Sequence, residues 1–80
     1  MRAKVFVQLK PSVHDPQGET IRGALETMGY QGVSDVRQGK YFEMSLVASS
    51  REEAEIQVRE IANRVLSNPV IETFEVEILD

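Results

Sequence analysis

The sequence predicts one α+β domain over residues 1–80, with the element order β-α-β-β-α-β. Three observations predict it. Residues 2–10 and 73–78 alternate apolar and polar side chains with a period of two, as strands with one covered face do. Two intervening segments carry apolar residues at helical spacing, each opened by a start signal. A polar stretch, Arg37-Gln38-Gly39-Lys40, divides two further apolar runs as a hairpin turn would.

In the first strand, Ala3, Val5, Val7 and Leu9 alternate with Lys4, Phe6, Gln8 and Lys10. The loop that follows contains Asp15-Pro16, a helix start in which the side-chain acceptor stands at the N-cap and the next residue has φ preset and no N–H to satisfy. Gly18 sits in the first helical turn, where it costs roughly 0.5–1 kcal/mol relative to Ala. A glycine there has two readings on the residues alone: backbone or a partner approaches closely, or the first turn is frayed and tolerates it. Ile21, Ala24, Leu25 and Met28 make the apolar stripe of the helix, and Gly29 at C′ ends it.

Val33 to Val36 and Tyr41 to Val47 read as the arms of the hairpin, with glycine supplying positive φ at the turn and Phe42, Met44 and Leu46 sharing a face. The first arm alternates less cleanly, as a bulged strand would. Ser50-Arg51-Glu52-Glu53 is a capping box. The helix it opens places Ala54, Val58, Ile61, Ala62, Val65 and Leu66 on one face and the pairs Glu55/Arg59 and Glu60/Arg64 on the other, until Asn68-Pro69 stops it. Phe74, Val76 and Ile78 form the covered side of the last strand. With right-handed crossovers, this order gives a four-stranded antiparallel sheet with both helices on one face, the ferredoxin-like arrangement.

Composition narrows the function. Eighty residues bury only about 60–65% of their unfolded surface, so the chain gains from association. There is no cysteine, which excludes a disulfide framework and a thiol nucleophile, and the single His14 has no carboxylates spaced around it for a metal. A net charge of −4, from 9 basic and 13 acidic residues, argues against a nucleic-acid-gripping face. The N-terminus enters a strand pattern at once and no apolar run is long enough to span a bilayer, so a cytoplasmic, membrane-free chain is expected.

Catalytic patterns are missing. Ser12, His14 and Asp15 lie in one extended loop, where neighbouring side chains point apart and make no triad. Glu72, Glu75 and Glu77 read as a solvated strand face, and Gly39-Lys40 lacks the rest of a phosphate loop. The sheet face opposite the core bears Phe6, Tyr41, Val47 and Ile71 among Lys4, Lys10, Glu43 and Glu75. Such a face suits a second copy of the chain better than RNA, because the aromatic-rich RNA-binding signature is absent.

Three separated segments carry a resemblance. Leu9-Lys10-Pro11-Ser12-Val13-His14-Asp15-Pro16-Gln17-Gly18, Val36-Arg37-Gln38-Gly39-Lys40 and Leu66-Ser67-Asn68-Pro69-Val70-Ile71-Glu72, in that order and in a chain of this length, resemble the PurS family. That family supplies the small subunit of phosphoribosylformylglycinamidine (formylglycinamidine ribonucleotide) synthase in de novo purine biosynthesis. The family's residue before Asp-Pro-Gln-Gly is usually aliphatic, so no family role attaches to His14. The resemblance implies a subunit of a carbon–nitrogen ligase with no activity of its own and no cofactor bound by this chain. ATP and magnesium would be used by the complex. It implies a homodimer or higher homo-oligomer that bridges a PurQ-type glutaminase and a PurL-type synthetase and assists ammonia transfer. Docking to these partners is expected through Asp15, Pro16, Gln17, Gly18, Arg37, Gly39 and Lys40, and dimerisation through Phe6, Tyr41 and Ile71. The alternative on the same element order is an ACT-like module that binds an amino acid at the first loop.

Overall fold

A computed structural model describes residues 1–79. Strand β1 (Arg2–Leu9) is the centre of a three-stranded sheet, flanked by β2 (Gly39–Ser45) and β3 (Glu72–Leu79), both antiparallel to it. The register sets Val5 opposite Phe42 and Val76, and Ala3 opposite Met44 and Ile78. Residues directly opposite share a face. One face is therefore an apolar row across all three strands, as the alternation predicts.

Helix α2 (Arg51–Ile61) lies on that face and presents Ala54 and Val58, followed by Ala62. Two alanines let the helix sit close to the strands, and these three residues with Ala3, Val5, Val7 and Ile78 form the buried core. The Ser50 hydroxyl accepts from the Glu53 N–H at 3.1 Å. The Glu53 carboxylate accepts from the Ser49 hydroxyl rather than from the Ser50 backbone, so half of the capping box forms. The ion pairs Glu55–Arg59 and Glu60–Arg64 form as predicted, at 3.2 and 2.9 Å. Past α2 the chain continues through a π turn, Ala62–Leu66. Both the N–H and the hydroxyl of Ser67 donate to the Ala62 carbonyl, at 2.9 and 2.8 Å. The widened turn swings Val65 out to 73% exposure and leaves Leu66 against the core, correcting the expectation that both face inward.

Helix α1 (Pro16–Thr27) begins and ends where the sequence places it. Asp15 caps it, and Gly29, at φ 99°, is the C′ residue. Its position differs from expectation. Helix α2 alone packs on the sheet, close along β3, and among the described residues α1 makes no comparable approach to any strand. The molecule measures 51 × 26 × 14 Å, with a radius of gyration of 16.0 Å. A compact chain of this length has about 12 Å. The segment from α1 back to β2 is thus an arm extending from the sheet.

The fourth strand and the hairpin are also corrected. Residues 33–36 pair with no strand, and Gly39 opens β2 opposite Gln8 with no positive φ. The backbone groups that would have built that strand's end are committed to the base of α1 instead. Gly39 is needed for space: a Cβ there would lie 2.6 Å from the Val7 carbonyl oxygen on the neighbouring strand.

Val58→Ala should lower unfolding stability by about 1.5–3 kcal/mol in urea denaturation, because it removes two methyl groups from a fully buried site. Val47→Ala, at a position 96% exposed, should change it by less than about 0.5 kcal/mol.

Candidate functional site

The loop after β1, the first turn of α1 and the approach to β2 meet at one end of the sheet. Asp15 holds them together. One of its carboxylate oxygens accepts from the Gly18 N–H at 2.9 Å, which caps α1, and the other from the Gln38 N–H at 2.7 Å, 23 residues away. The side chain is almost completely covered, with 5% of the residue exposed. The Gln38 and Gly18 hydrogen bonds, aided by the nearby Arg37 guanidinium, hold its carboxyl below the usual range. An ionised carboxylate with so little water needs donors on both oxygens, and two backbone segments supply them.

Gly18 explains itself in the same place. A Cβ on it would lie 2.0 Å from the Val36 carbonyl oxygen, so backbone does approach closely, and it belongs to this chain. Gly18 is buried. Arg37 completes the clasp: one of its terminal nitrogens donates to the carbonyls of Lys10 and Val13, at 3.0 and 2.9 Å. Gln38 Nε2 donates to Gln17 Oε1 at 2.8 Å.

Beyond the end of α2, the apolar sheet face opens into a groove of about 320 Å³ bounded by the clasp. Lys40 is opposite Val7 and therefore on the covered face, not on a hairpin tip. Its ammonium stands 3.7 Å from the Glu72 carboxylate across β1. Glu72 Oε1 also accepts from the Asn68 N–H at 2.7 Å, tying the loop before β3 into the same wall. The groove thus carries the side chains of Gln17 and Gln38 beside one ion pair. It can accept and donate hydrogen bonds and hold a charged group against Lys40 or Glu72. Among the described residues, no group of three or more His, Cys, Asp or Glu is arranged to hold a metal.

The structure brings together Asp15, Gln17, Gly39 and Lys40 along the groove, with Gly18 and Arg37 built into its supporting wall and Pro16 exposed beside it. Sequence reasoning missed Gln38 and Glu72. Gln38 has no residue-type signal, since its backbone N–H makes the key bond, and Glu72 was assigned to a solvated strand face although its side chain is only 12% exposed. His14 is exposed on the loop.

On the opposite sheet face, Phe6 and Tyr41 are cross-strand neighbours with ring centroids 5.0 Å apart. Desolvation, then the neighbouring Glu43 carboxylate, push the Tyr41 phenol up. Around them stand Lys4, Glu43, Glu75 and the Arg2–Glu43 ion pair at 3.6 Å. Ile71 lies just before β3, where its carbonyl accepts from the Lys10 N–H at 2.8 Å. It is separated along the sheet from the aromatic pair, so the predicted dimer residues form an island and an outlier rather than one patch.

The family of PurS, phosphoribosylformylglycinamidine (FGAM) synthase, matches residues 2–80. This chain belongs to the PurS family. It is 43% identical over 77 residues to phosphoribosylformylglycinamidine synthase subunit PurS of Bacillus subtilis, covering 96% of this chain and 90% of that one. It is 40% identical to the same subunit of Archaeoglobus fulgidus, covering 95% of each. The crystal structure of the B. subtilis PurS superposes with a TM-score of 0.88 at 42% identity, over 99% of this chain and 98% of the other. A chain of the Thermotoga maritima PurLQS structure superposes equally well, with a TM-score of 0.88 at 33% identity over 98% and 95%. The Methanocaldococcus jannaschii PurS, one of the subunits of formylglycinamide ribonucleotide amidotransferase in the purine biosynthetic pathway, gives 0.84 at 32% identity over 99% and 98%.

Two glycines on α1 separate the clasp from helix propensity. Gly18→Ala should destabilise the fold, since the Val36 backbone must move, whereas Gly23→Ala, with nothing within 4 Å of its Cβ, should stabilise it by about 0.5–1 kcal/mol in thermal or urea unfolding. The carboxylate makes a pH-dependent contribution. Its folded pKa is lowered, so the stabilisation is complete above the ordinary carboxylate value of 3.8 and is lost as pH falls through and below it. The Tm difference between wild type and Asp15→Asn, roughly 5–10 °C near neutrality, should therefore shrink towards zero in strongly acidic buffer.

Proposed function

We propose that this protein is a non-catalytic assembly subunit of an ATP- and glutamine-dependent phosphoribosylformylglycinamidine synthase, active in de novo purine biosynthesis. In this reading a PurQ-type glutaminase releases ammonia from glutamine. A PurL-type synthetase binds ATP and the formylglycinamide ribonucleotide and forms the amidine. The present chain, as a homo-oligomer, bridges the two and helps complete the ammonia path. The observation that carries the reading is the full-length likeness to the PurS chain of a PurLQS complex, at a TM-score of 0.88. The amino-acid-binding alternative is not favoured, since the family match runs through residues 2–80.

The groove beside the clasp is the docking surface in this reading. Gln17, Gln38 and Lys40 line it, and Pro16 borders it. Lys40 is the better electrostatic contact, because its side chain is 61% exposed. Arg37 instead uses its donors on Lys10 and Val13, which makes it a support of the surface. Docking by Lys40 suits a carboxylate or phosphate on the partner.

The test is reconstitution with matching PurL- and PurQ-type subunits and measurement of glutamine-dependent amidine formation. Omitting this chain should abolish the glutamine-dependent reaction while leaving ammonia-dependent synthesis by the large subunit. Lys40→Ala should keep the Tm of the isolated chain and weaken assembly roughly tenfold or more, whereas Arg37→Ala should lower the Tm as well. Full glutamine-dependent synthesis without this chain would overturn the reading.

A further inference from the structure

The sheet face opposite the core carries a second cleft, built on one row of cross-strand neighbours. Tyr41, Phe6 and Glu75 stand side by side on β2, β1 and β3. The two ring centroids are 5.0 Å apart, the planes are inclined at 34°, and the residues are 49% and 43% exposed. In the next row Gly39 stands opposite Gln8, and Gln8 opposite Thr73. Gly39 has no side chain, so the sheet is bare beside the rings. A cleft of about 380 Å³ opens there, lined by Phe6, Gln8, Gly39, Tyr41 and Glu75.

The charges around this cleft do not balance. In the row on the other side of the rings, Lys4 lies between Glu43 and Glu77, and Arg2 pairs with Glu43 at 3.6 Å. Two cations thus face two carboxylates. Glu75, exposed beside Phe6, is left as the surplus anion of the face among the described residues.

The backbone adds an acceptor. The Leu46 N–H donates to the Met1 carbonyl at 2.9 Å, and the Met1 amino group donates to the Leu46 carbonyl at 3.2 Å. Bonded and non-bonded pairs alternate along an antiparallel ladder. The Tyr41 carbonyl therefore points away from β1, to the edge of β2, where no strand pairs among the described residues.

Aromatic faces, a carboxylate and an open carbonyl around one cleft suit a flat cation with several donors. A guanidinium meets all three. It stacks on rings, pairs with a carboxylate through its fork and sheds water more readily than an ammonium. A second copy of the chain suits the cleft poorly. It would bring the same surplus carboxylate, and its Arg22, Arg37, Arg59 and Arg64 are already held by its own carboxylates and carbonyls.

We infer that the cleft beside Phe6 and Tyr41 receives an arginine side chain of one heterologous subunit, stacked on the ring pair and bonded to Glu75. This rests on the proposed bridging role and supplies its second surface. A bridge needs two contacts, and this one lies on the opposite sheet face from Lys40, with the opposite charge preference. Phe6 and Tyr41 then serve a different subunit instead of the dimerisation expected from the sequence.

The experiment measures the affinity of this chain for the matching PurL-type and PurQ-type subunits, each singly, by calorimetry with glutamine, ATP and magnesium present. Wild type is compared with Glu75→Arg, Phe6→Leu and Tyr41→Phe, and sedimentation equilibrium follows the isolated chain. All three residues are exposed, so the variants should fold. For one of the two subunits, Glu75→Arg should raise Kd roughly 30-fold or more. Phe6→Leu keeps an apolar side chain without the ring and should raise it about fivefold. Tyr41→Phe keeps the ring and should stay within about twofold of wild type. The other subunit's affinity and the oligomeric state should not change. Wild-type affinity of Glu75→Arg or of Phe6→Leu for both subunits overturns the inference and leaves the bridging role standing. Loss of self-association in Glu75→Arg also overturns it, since the face would then join copies of this chain. A wild-type chain that binds neither subunit overturns the bridging role, and this inference with it.

Discussion

A single buried carboxylate organises the chain. Asp15 is covered, ionised and shared between the N–H groups of Gly18 and Gln38, which lie in segments far apart in sequence. Leaving either oxygen without a donor inside the protein would be unfavourable, so both segments are drawn to the same point. The consequences spread outward. With its N–H given to Asp15, Gln38 cannot start a strand ladder, and with its carbonyl against Gly18, Val36 cannot continue one. A four-stranded sheet becomes three-stranded, and the first helix leaves the sheet as an arm.

The rest of the molecule is built to be independent of that arm. The sheet and α2 share a core of small and β-branched residues, in which Val5, Val7 and Val58 are the largest fully buried side chains. Such a core is thin, in keeping with a molecule only 14 Å across its shortest axis. It supports the strands and holds the groove walls in register, since Lys40 and Glu72 both rise from strands paired to β1. The polar surface at the sheet's end thereby acquires a rigid backing that a loop alone would not provide.

Shape and chemistry together suit a subunit that joins others. A body 51 Å long presents separate surfaces, a polar groove near the clasp and an apolar helix stripe on the arm. The groove offers amides and an ion pair, groups that orient a partner without reacting with it. Membership of the PurS family places these surfaces in a setting where partners exist, as the T. maritima PurLQS structure does for a relative.

Much of this was legible in the residues. Period-two alternation located β1 and β3, because a strand half covered by a helix must alternate. Asp15-Pro16, Ser50 and Gly29 marked helix ends, since capping is a local matter of donors, acceptors and φ. The three motifs named the family, and the oddity of Gly18 raised a close backbone approach as one of two readings. What the sequence could not decide was whether and by whom that approach is made, whether Val33 to Val36 pairs as a strand, or where α1 goes. Those outcomes rest on bonds between groups 23 residues apart, as in Asp15 to the Gln38 N–H, and a backbone N–H is the same in every residue but proline. Val65 teaches the same lesson locally, because the Ser67 hydroxyl widened a turn that helical periodicity assumed regular. Local pattern determined the elements, and only the tertiary hydrogen bonds at the clasp determined how they are arranged.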